Sequence, residues 1–372
     1  MDERKRRSKV SRTQAPPKAG ADIVGEPPES VVSGRTVEQV AQNPDRVWHS
    51  KGPERAPRGK IGSRPGAAAD IGSLVKQLPL EFELTNLDKV LYAEQNVRKA
   101  ELIAYFAVVA GQMLPHVSDR PLTLVRCPHG TGQKCFFQKH ATSGVPSAIV
   151  HVPIRKDEQV EQYLAVHDLQ GLVALAQLGV LEVHTWACHT TDVDRPDQLV
   201  FDIDPDETLP WDSVVEAAFA TKAQLEKHGL ESFVKTTGGK GLHVVAPVEP
   251  RLTWEQHKNF ARAMAEAIAR AYPARYLTTM RKALRKGKIY LDYLRNGRGA
   301  TAIAPYSTRA RAGAHVATPL AWDELSRGID PKELTLFSVT ERLDTLDRDP
   351  WRDYATTKQQ VDEAALRVLH IG

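Results

Sequence analysis

The chain has 372 residues, enough for one large domain or two small ones, and 41% hydrophobic residues supply a real core. A formal net charge of +4 excludes a uniformly basic nucleic-acid coat and favours a basic groove on a mixed surface. No apolar run reaches transmembrane length and no signal-peptide core is present; the three irregularly spaced cysteines, Cys127, Cys135 and Cys188, predict a reducing cytosol, no disulfide framework and no structural zinc.

Residues 1–78 are rich in Pro, Gly, Ser, Arg and Lys and open on the basic cluster Arg4-Lys-Arg-Arg7. They carry too few large apolar residues to build a core, so a disordered basic tail or linker is predicted, with a short helix around 36–42. Such a segment could touch DNA non-specifically or be an inert tether. Residues 79–372 read as one mixed α/β (α+β) domain. A helix is predicted over 100–114, where Leu102, Ile103, Phe106, Val109 and Met113 form one apolar stripe. Strands follow near 121–126, 148–153, 180–187 and 199–204. Pro210 opens a helix that stops at Gly229. After strands near 232–236 and 242–246, Thr253 and Gln256 form a capping box for a helix carrying Phe260, Met264 and Ile268, ended by Pro273. Strands near 288–294 and 300–304 precede a second capping-box signal, Ser338 with Glu341, and a helical C-terminus. Strands outnumber regular βαβ alternations, which argues against a Rossmann fold.

Three carboxylates carry the chemical signal. Asp202 and Asp204, in Leu199-Val-Phe-Asp-Ile-Asp-Pro205, share one face of a strand because its side-chain period is two. Adjacent carboxylates on an apolar strand repel, and a divalent cation is the usual remedy; the alternative is a solvated strand end. Asp292, in Lys288-Ile-Tyr-Leu-Asp-Tyr-Leu294, adds a third carboxylate on a later strand, the layout of a two-metal polymerase site. Between them lies Thr237-Gly-Gly-Lys-Gly-Leu-His243. Its glycines let backbone approach an anion and Lys240 adds a charge, although a ligand-free hairpin turn would look similar. It is not a Walker A loop, because a strand and not a helix follows.

Across about residues 80–350 the chain resembles the polymerase domain of bacterial DNA ligase D, a primase-polymerase of non-homologous end joining. The ordered matches include Leu84-Thr-Asn-Leu-Asp-Lys-Val-Leu-Tyr92, Arg120-Pro-Leu-Thr-Leu-Val-Arg-Cys-Pro128, Phe136-Phe-Gln-Lys-His140, Val183-His-Thr-Trp186, Leu291-Asp-Tyr-Leu-Arg-Asn296 and Ala304-Pro-Tyr-Ser-Thr-Arg-Ala-Arg311, with the two motifs above. The resemblance implies a two-lobed core of mixed and antiparallel sheets flanked by helices, with the site in the cleft between sheets. It implies that Asp202, Asp204 and Asp292 are catalytic and hold two Mn²⁺ or Mg²⁺ ions. It assigns His184, Thr237, Gly238, Gly239, Lys240, Arg295 and Arg309 to the incoming nucleotide. Lys89 and Lys99 match lysines that bind a downstream 5′-phosphate, and Phe136 and Phe137 an aromatic pair that stacks on DNA bases; Arg126 is expected to face nucleic acid beside them. Strand alternation predicts one of the two phenylalanines in the core and the other outside. Two departures are visible: Thr237 stands where relatives often carry Ser, and His129 where an acidic residue is common.

The implied activity is nucleotide addition to DNA 3′ ends at gaps and breaks, from NTPs or dNTPs with ribonucleotides preferred. Implied partners are DNA ends with a 5′-phosphate, a Ku-type end-binding protein and a DNA ligase, in a bacterial cytoplasm near the nucleoid and away from membrane. No K-x-D-G adenylation motif occurs, so ligation belongs to another chain or to another part of a longer one. A metal-dependent nuclease or phosphoesterase and a non-catalytic DNA-end scaffold are the competing classes.

Overall fold

The computed structural model describes residues 71–72, 75–142 and 144–368. Of the tail predicted over residues 1–78, residues 1–70, with the helix expected at 36–42, lie outside the described residues. Packed chain begins before the predicted boundary at 78/79, since Val75 is buried and Ile71 and Leu78 lie against the core.

A hairpin of β1 (Val90–Tyr92) and β2 (Val97–Arg98) leads into α1 (Lys99–Val108) and α2 (Ala110–Val117). The helix predicted over 100–114 is thus two helices, bent by 79° at Val109. A continuous apolar stripe does not encode that bend, and both Phe106 and Met113 end fully buried. Among the described residues, no single helix is long and apolar enough to cross a membrane.

The first large sheet contains β3 (Leu122–Arg126), β4 (Phe136–Gln138), β5 (Val150–Lys156), β6 (Gln159–Ala165), β7 (Val180–Thr185) and β13 (Ala302–Ile303). Its order is β13-β7-β3-β6-β5, with β4 paired beside β3. The arm β6 was not predicted, because its first half, Gln159–Glu161, is largely exposed and polar. Between β6 and β7, α3 (Leu169–Gln177) is capped by Asp168, whose carboxylate accepts the Gly171 N–H at 3.0 Å.

The second sheet contains β8 (Gln198–Pro205), β9 (Phe233–Thr236), β10 (Leu242–Pro247), β11 (Tyr276–Leu277), β12 (Ile289–Asp292) and β14 (Pro319–Leu320), in the order β11-β12-β8-β10-β9-β14. All its pairs are antiparallel except β11 with β12. In β8, Leu199, Phe201 and Ile203 enter the main core while Asp202 and Asp204 take the other face. Two helices, α4 (Trp211–Glu226) and α5 (Trp254–Ala271), pack against this sheet. The capping box predicted for α5 is present, with Thr253 accepting from Gln256 N at 3.2 Å.

Four local expectations need correction. The strand predicted over 288–294 stops at Asp292 and gives way to a 3₁₀ turn, Leu294–Asn296. The last predicted capping box is displaced one turn: Thr335 caps the helix Leu336–Thr345 with Ser338 at its third position, so Glu341 lies within the helix. Phe136 and Phe137 are both exposed, at 44% and 72%: they point to opposite faces of the short strand β4, and neither face is covered at these positions. Finally, Cys127 and Cys135 form a disulfide with Cα atoms 4.3 Å apart. Arg126 pairs with Phe136 across β3 and β4, which brings the two flanking cysteines opposite each other.

A row of charged groups across one sheet

Antiparallel register builds the site. Asp292 on β12 lies opposite Asp202 on β8, Asp202 lies opposite His243 on β10, and His243 lies opposite Lys235 on β9. Residues directly opposite across neighbouring strands share a face, so this is one continuous row of two carboxylates, an imidazole and an ammonium. Asp204 stands one pleat further along β8, opposite Tyr290. Two carboxylates that face each other must be compensated, and the 3₁₀ turn after β12 does it: Arg295 NH2 sits 3.2 Å from both Asp202 and Asp292. Fully buried Asn296 anchors that turn. Its carboxamide accepts from Val200 N (2.8 Å) and donates to Val200 O (2.7 Å) and Tyr293 O (2.8 Å).

The two carboxylates titrate in opposite directions. Burial opposes ionisation of Asp202, but His243, Arg295 and Lys235 outweigh it and lower its pKa to about 2. For Asp292, burial and the Asp202 charge raise the pKa despite Arg295. Asp204 is held by Arg285 (3.0 Å), whose guanidinium stacks 3.9 Å from the Tyr290 ring centroid, and by Lys240 at 3.5 Å.

The glycine turn is built for close approach. A Cβ on Gly241 would fall 2.4 Å from Ile203 O, and one on Gly238, at φ +63°, would fall 2.6 Å from Arg309 Cγ. Thr237 does not point a free hydroxyl outward; its Oγ1 donates to Gly241 O at 3.1 Å. Arg309 reaches the turn from the loop between β13 and β14, donating from NH1 to Thr237 O (2.6 Å) and from Nε to Glu182 Oε1 (3.0 Å). Glu182 also binds His184 Nε2 at 2.8 Å and accepts from Ala310 N at 2.9 Å. The resulting cleft of about 220 Å³ is lined by His184, Asp202, Asp204, Gly239, Lys240, His243, Arg295 and Arg309, together with Arg311.

Oxygen donors of this kind suit Mg²⁺ or Mn²⁺. Among the described residues no three His, Cys, Asp or Glu side chains already converge as a ligand set. Arg295, Arg285 and Lys240 pair with these carboxylates. The donor set therefore fits such an ion, at the cost of displacing these cations.

The remaining predicted residues form a second group, on the first sheet and the β1 hairpin. Arg126 donates from Nε to Leu178 O (3.2 Å) and from NH1 to Gln138 Oε1 (2.9 Å), and lies over the Phe136 ring. Lys89 Nζ is 3.5 Å from His129 Nδ1. Lys99 is 6% exposed and donates to Thr85 O (3.1 Å) and Gln177 O (3.0 Å); burial, then the Lys89 charge, lowers its pKa. Tyr92 OH donates to Arg309 O at 2.9 Å and joins this hairpin to the cleft. The sequence reading missed the roles of Glu182, His243, Arg285 and Asn296. The Glu-x-His alternation on β7 and the His after the glycine turn carried usable period-two signals; the long-range partners of Arg285 and Asn296 did not.

Comparison with known proteins agrees with this architecture. A family model, the LigD primase-polymerase domain, matches residues 98–351. The multifunctional non-homologous end joining protein LigD of Pseudomonas aeruginosa is 35% identical over 334 residues, which cover 88% of this chain and 40% of that protein. The bifunctional non-homologous end joining protein LigD of Bacillus subtilis is 30% identical over 291 residues, 78% of this chain and 46% of that protein. The chain thus spans less than half the length of these two relatives. The solved polymerase domain from Mycobacterium tuberculosis ligase D, in complex with DNA, superposes with a TM-score of 0.69 at 32% identity, covering 74% of this chain and 98% of that one.

Proposed function

The chain belongs to the LigD primase-polymerase family, and from that membership we propose that it is a metal-dependent nucleotidyltransferase extending DNA 3′ ends at gaps and breaks in non-homologous end joining. The observation that carries this reading is the register that sets Asp292 opposite Asp202 with Asp204 one pleat away, Asp202 and Asp204 lining a cleft with Lys240, Arg295 and Arg309.

Asp202, Asp204 and Asp292 would hold Mn²⁺ or Mg²⁺, which supplies charge neutralisation at the phosphates and activation of the attacking 3′-hydroxyl. The protein's own work is binding and alignment. Lys240 and Arg309 flank the glycine turn and face the triphosphate. Arg295, once released from the carboxylates, adds a planar fork suited to phosphate oxygens. His184, held by Glu182, contacts the nucleotide from the opposite sheet. Thr237, Gly238 and Gly239 shape the turn that the phosphates approach. Ribonucleotides are the preferred substrates. Lys89 and Lys99 anchor the downstream 5′-phosphate; two neighbouring ammonium groups, one with a burial-lowered pKa, are stabilised by an anion between them. The exposed Phe136 and Phe137 offer a stacking platform for bases, with Arg126 beside them. A Ku-type protein and a DNA ligase, in the same or a separate chain, complete the repair reaction.

The test is primer extension on gapped DNA with and without a 5′-phosphate, supplying NTPs or dNTPs with Mn²⁺ or Mg²⁺. Template-directed addition favouring NTPs and the 5′-phosphorylated gap supports the proposal. Loss of DNA without incorporation would make the protein a nuclease, and tight end binding without turnover in either metal would make it a scaffold.

A further inference from the structure

The charged row does not stop at the cleft. It continues beneath the floor to Lys235, which is 2% exposed and lies directly opposite His243. The Lys235 Nζ and the inner His243 nitrogen, Nδ1, are both buried without a hydrogen-bond partner among the described residues. Both residues line the same cavity of about 20 Å³ between the two sheets, whose walls include Thr185, Val245 and Trp351. One water needs about 10–15 Å³, and two orphaned polar atoms facing one small polar cavity are the condition under which buried water is found. The other imidazole nitrogen, Nε2, lies 3.5 Å from Asp202 Oδ1.

Donor and acceptor logic then orders the row. A neutral imidazole carries one N–H. Facing a carboxylate, that N–H belongs on Nε2, which makes Nδ1 an acceptor in need of a donor. An amino group has only N–H donors to offer when charged and keeps two when neutral. We propose that Lys235 is a positioning residue: through one water in this cavity it donates toward His243 Nδ1, fixing the Nε2–H tautomer and the ring orientation that face Asp202. This assigns to Lys235 the outer partner that residues touching metal ligands commonly have. The assignment rests on the nucleotidyl-transfer reading for its kinetic consequence only; the tautomer is a property of the metal-free protein.

The experiment uses the full chain labelled with ¹⁵N-histidine, free of metal, with the His243 resonances assigned by a His243→Gln variant. Long-range ¹H–¹⁵N spectra of the wild type should show protonated Nε2 and bare Nδ1. Lys235→Met should give a mixture of tautomers, and Lys235→Gln, whose carboxamide still donates, should restore the wild-type pattern. In primer extension, Lys235→Met should lower kcat by about 10–100-fold with little change in nucleotide KM, while Lys235→Gln stays within about threefold. A wild-type tautomer pattern in Lys235→Met, or equal kinetic loss in both variants, overturns the proposal. Should Lys235→Met fail to fold, a high-resolution crystal structure of the wild type decides: a water bonded to both atoms supports the relay, and an empty cavity refutes it. A shifted tautomer in a protein whose wild type does not extend primers would leave Lys235 in this role and remove the polymerase reading.

Discussion

Replacing Glu182 by glutamine removes one buried charge at nearly constant shape, and its effect can be worked out from the structure. The Glu182 side chain is 8% exposed and meets Arg309, His184 and the Ala310 N–H at once. Burial opposes its ionisation, but His184 and Arg309 outweigh that cost and bring the pKa from 4.5 to about 2. Through proton linkage a depression of that size is worth about 3 kcal/mol of stability. The folded carboxylate binds a proton less readily than the unfolded one. The contribution is therefore complete above pH 4.5 and is lost as pH falls toward 2. Urea unfolding of wild type and Glu182→Gln across pH should give a difference of about 3 kcal/mol at pH 7 that shrinks below pH 4.5. Because Arg309 and His184 lose their shared anchor, nucleotide KM should also rise. A stability difference that stays flat across the acidic window would refute the electrostatic assignment.

Asp204→Ala should abolish nucleotide incorporation in primer extension while DNA-end binding, measured by fluorescence anisotropy, stays at the wild-type level; extension at the wild-type rate would remove Asp204 from the metal site. Lys89→Ala with Lys99→Ala should weaken binding to 5′-phosphorylated ends selectively, and equal weakening on 5′-hydroxyl ends would reject the anchor. Gly241→Ala should destabilise the domain by more than about 1 kcal/mol in thermal unfolding, because its Cβ would meet the Ile203 backbone carbonyl oxygen at 2.4 Å. An unchanged Tm would mean that the turn is free to relax.

What could be read from the chain in advance follows the range of the interaction. The shared face of Asp202 and Asp204 is a period-two property of one strand, and the α5 cap is a four-residue signal; both are local and legible. The pairing of β12 with β8 joins residues about ninety positions apart, and no local pattern specifies it. The same is true of Arg285 on Asp204 and Asn296 on the Val200 backbone. The disulfide escaped because β4 is only three residues long and was not recognised as the partner of β3, without which the cysteine spacing has no geometric meaning. The two exposed phenylalanines escaped for a related reason: alternation predicts burial only where a second layer covers the strand.

The most direct test of the central claim is anomalous diffraction at a Mn²⁺-sensitive wavelength, from crystals of the chain with gapped 5′-phosphorylated DNA and a non-hydrolysable NTP. Metal peaks bound by Asp202, Asp204 and Asp292 are expected, with Arg285 and Arg295 withdrawn from those carboxylates and the triphosphate lying along the turn from Thr237 to Gly241. Nucleotide bound elsewhere, or the three carboxylates still paired with their arginines and no metal peak between them, would contradict it.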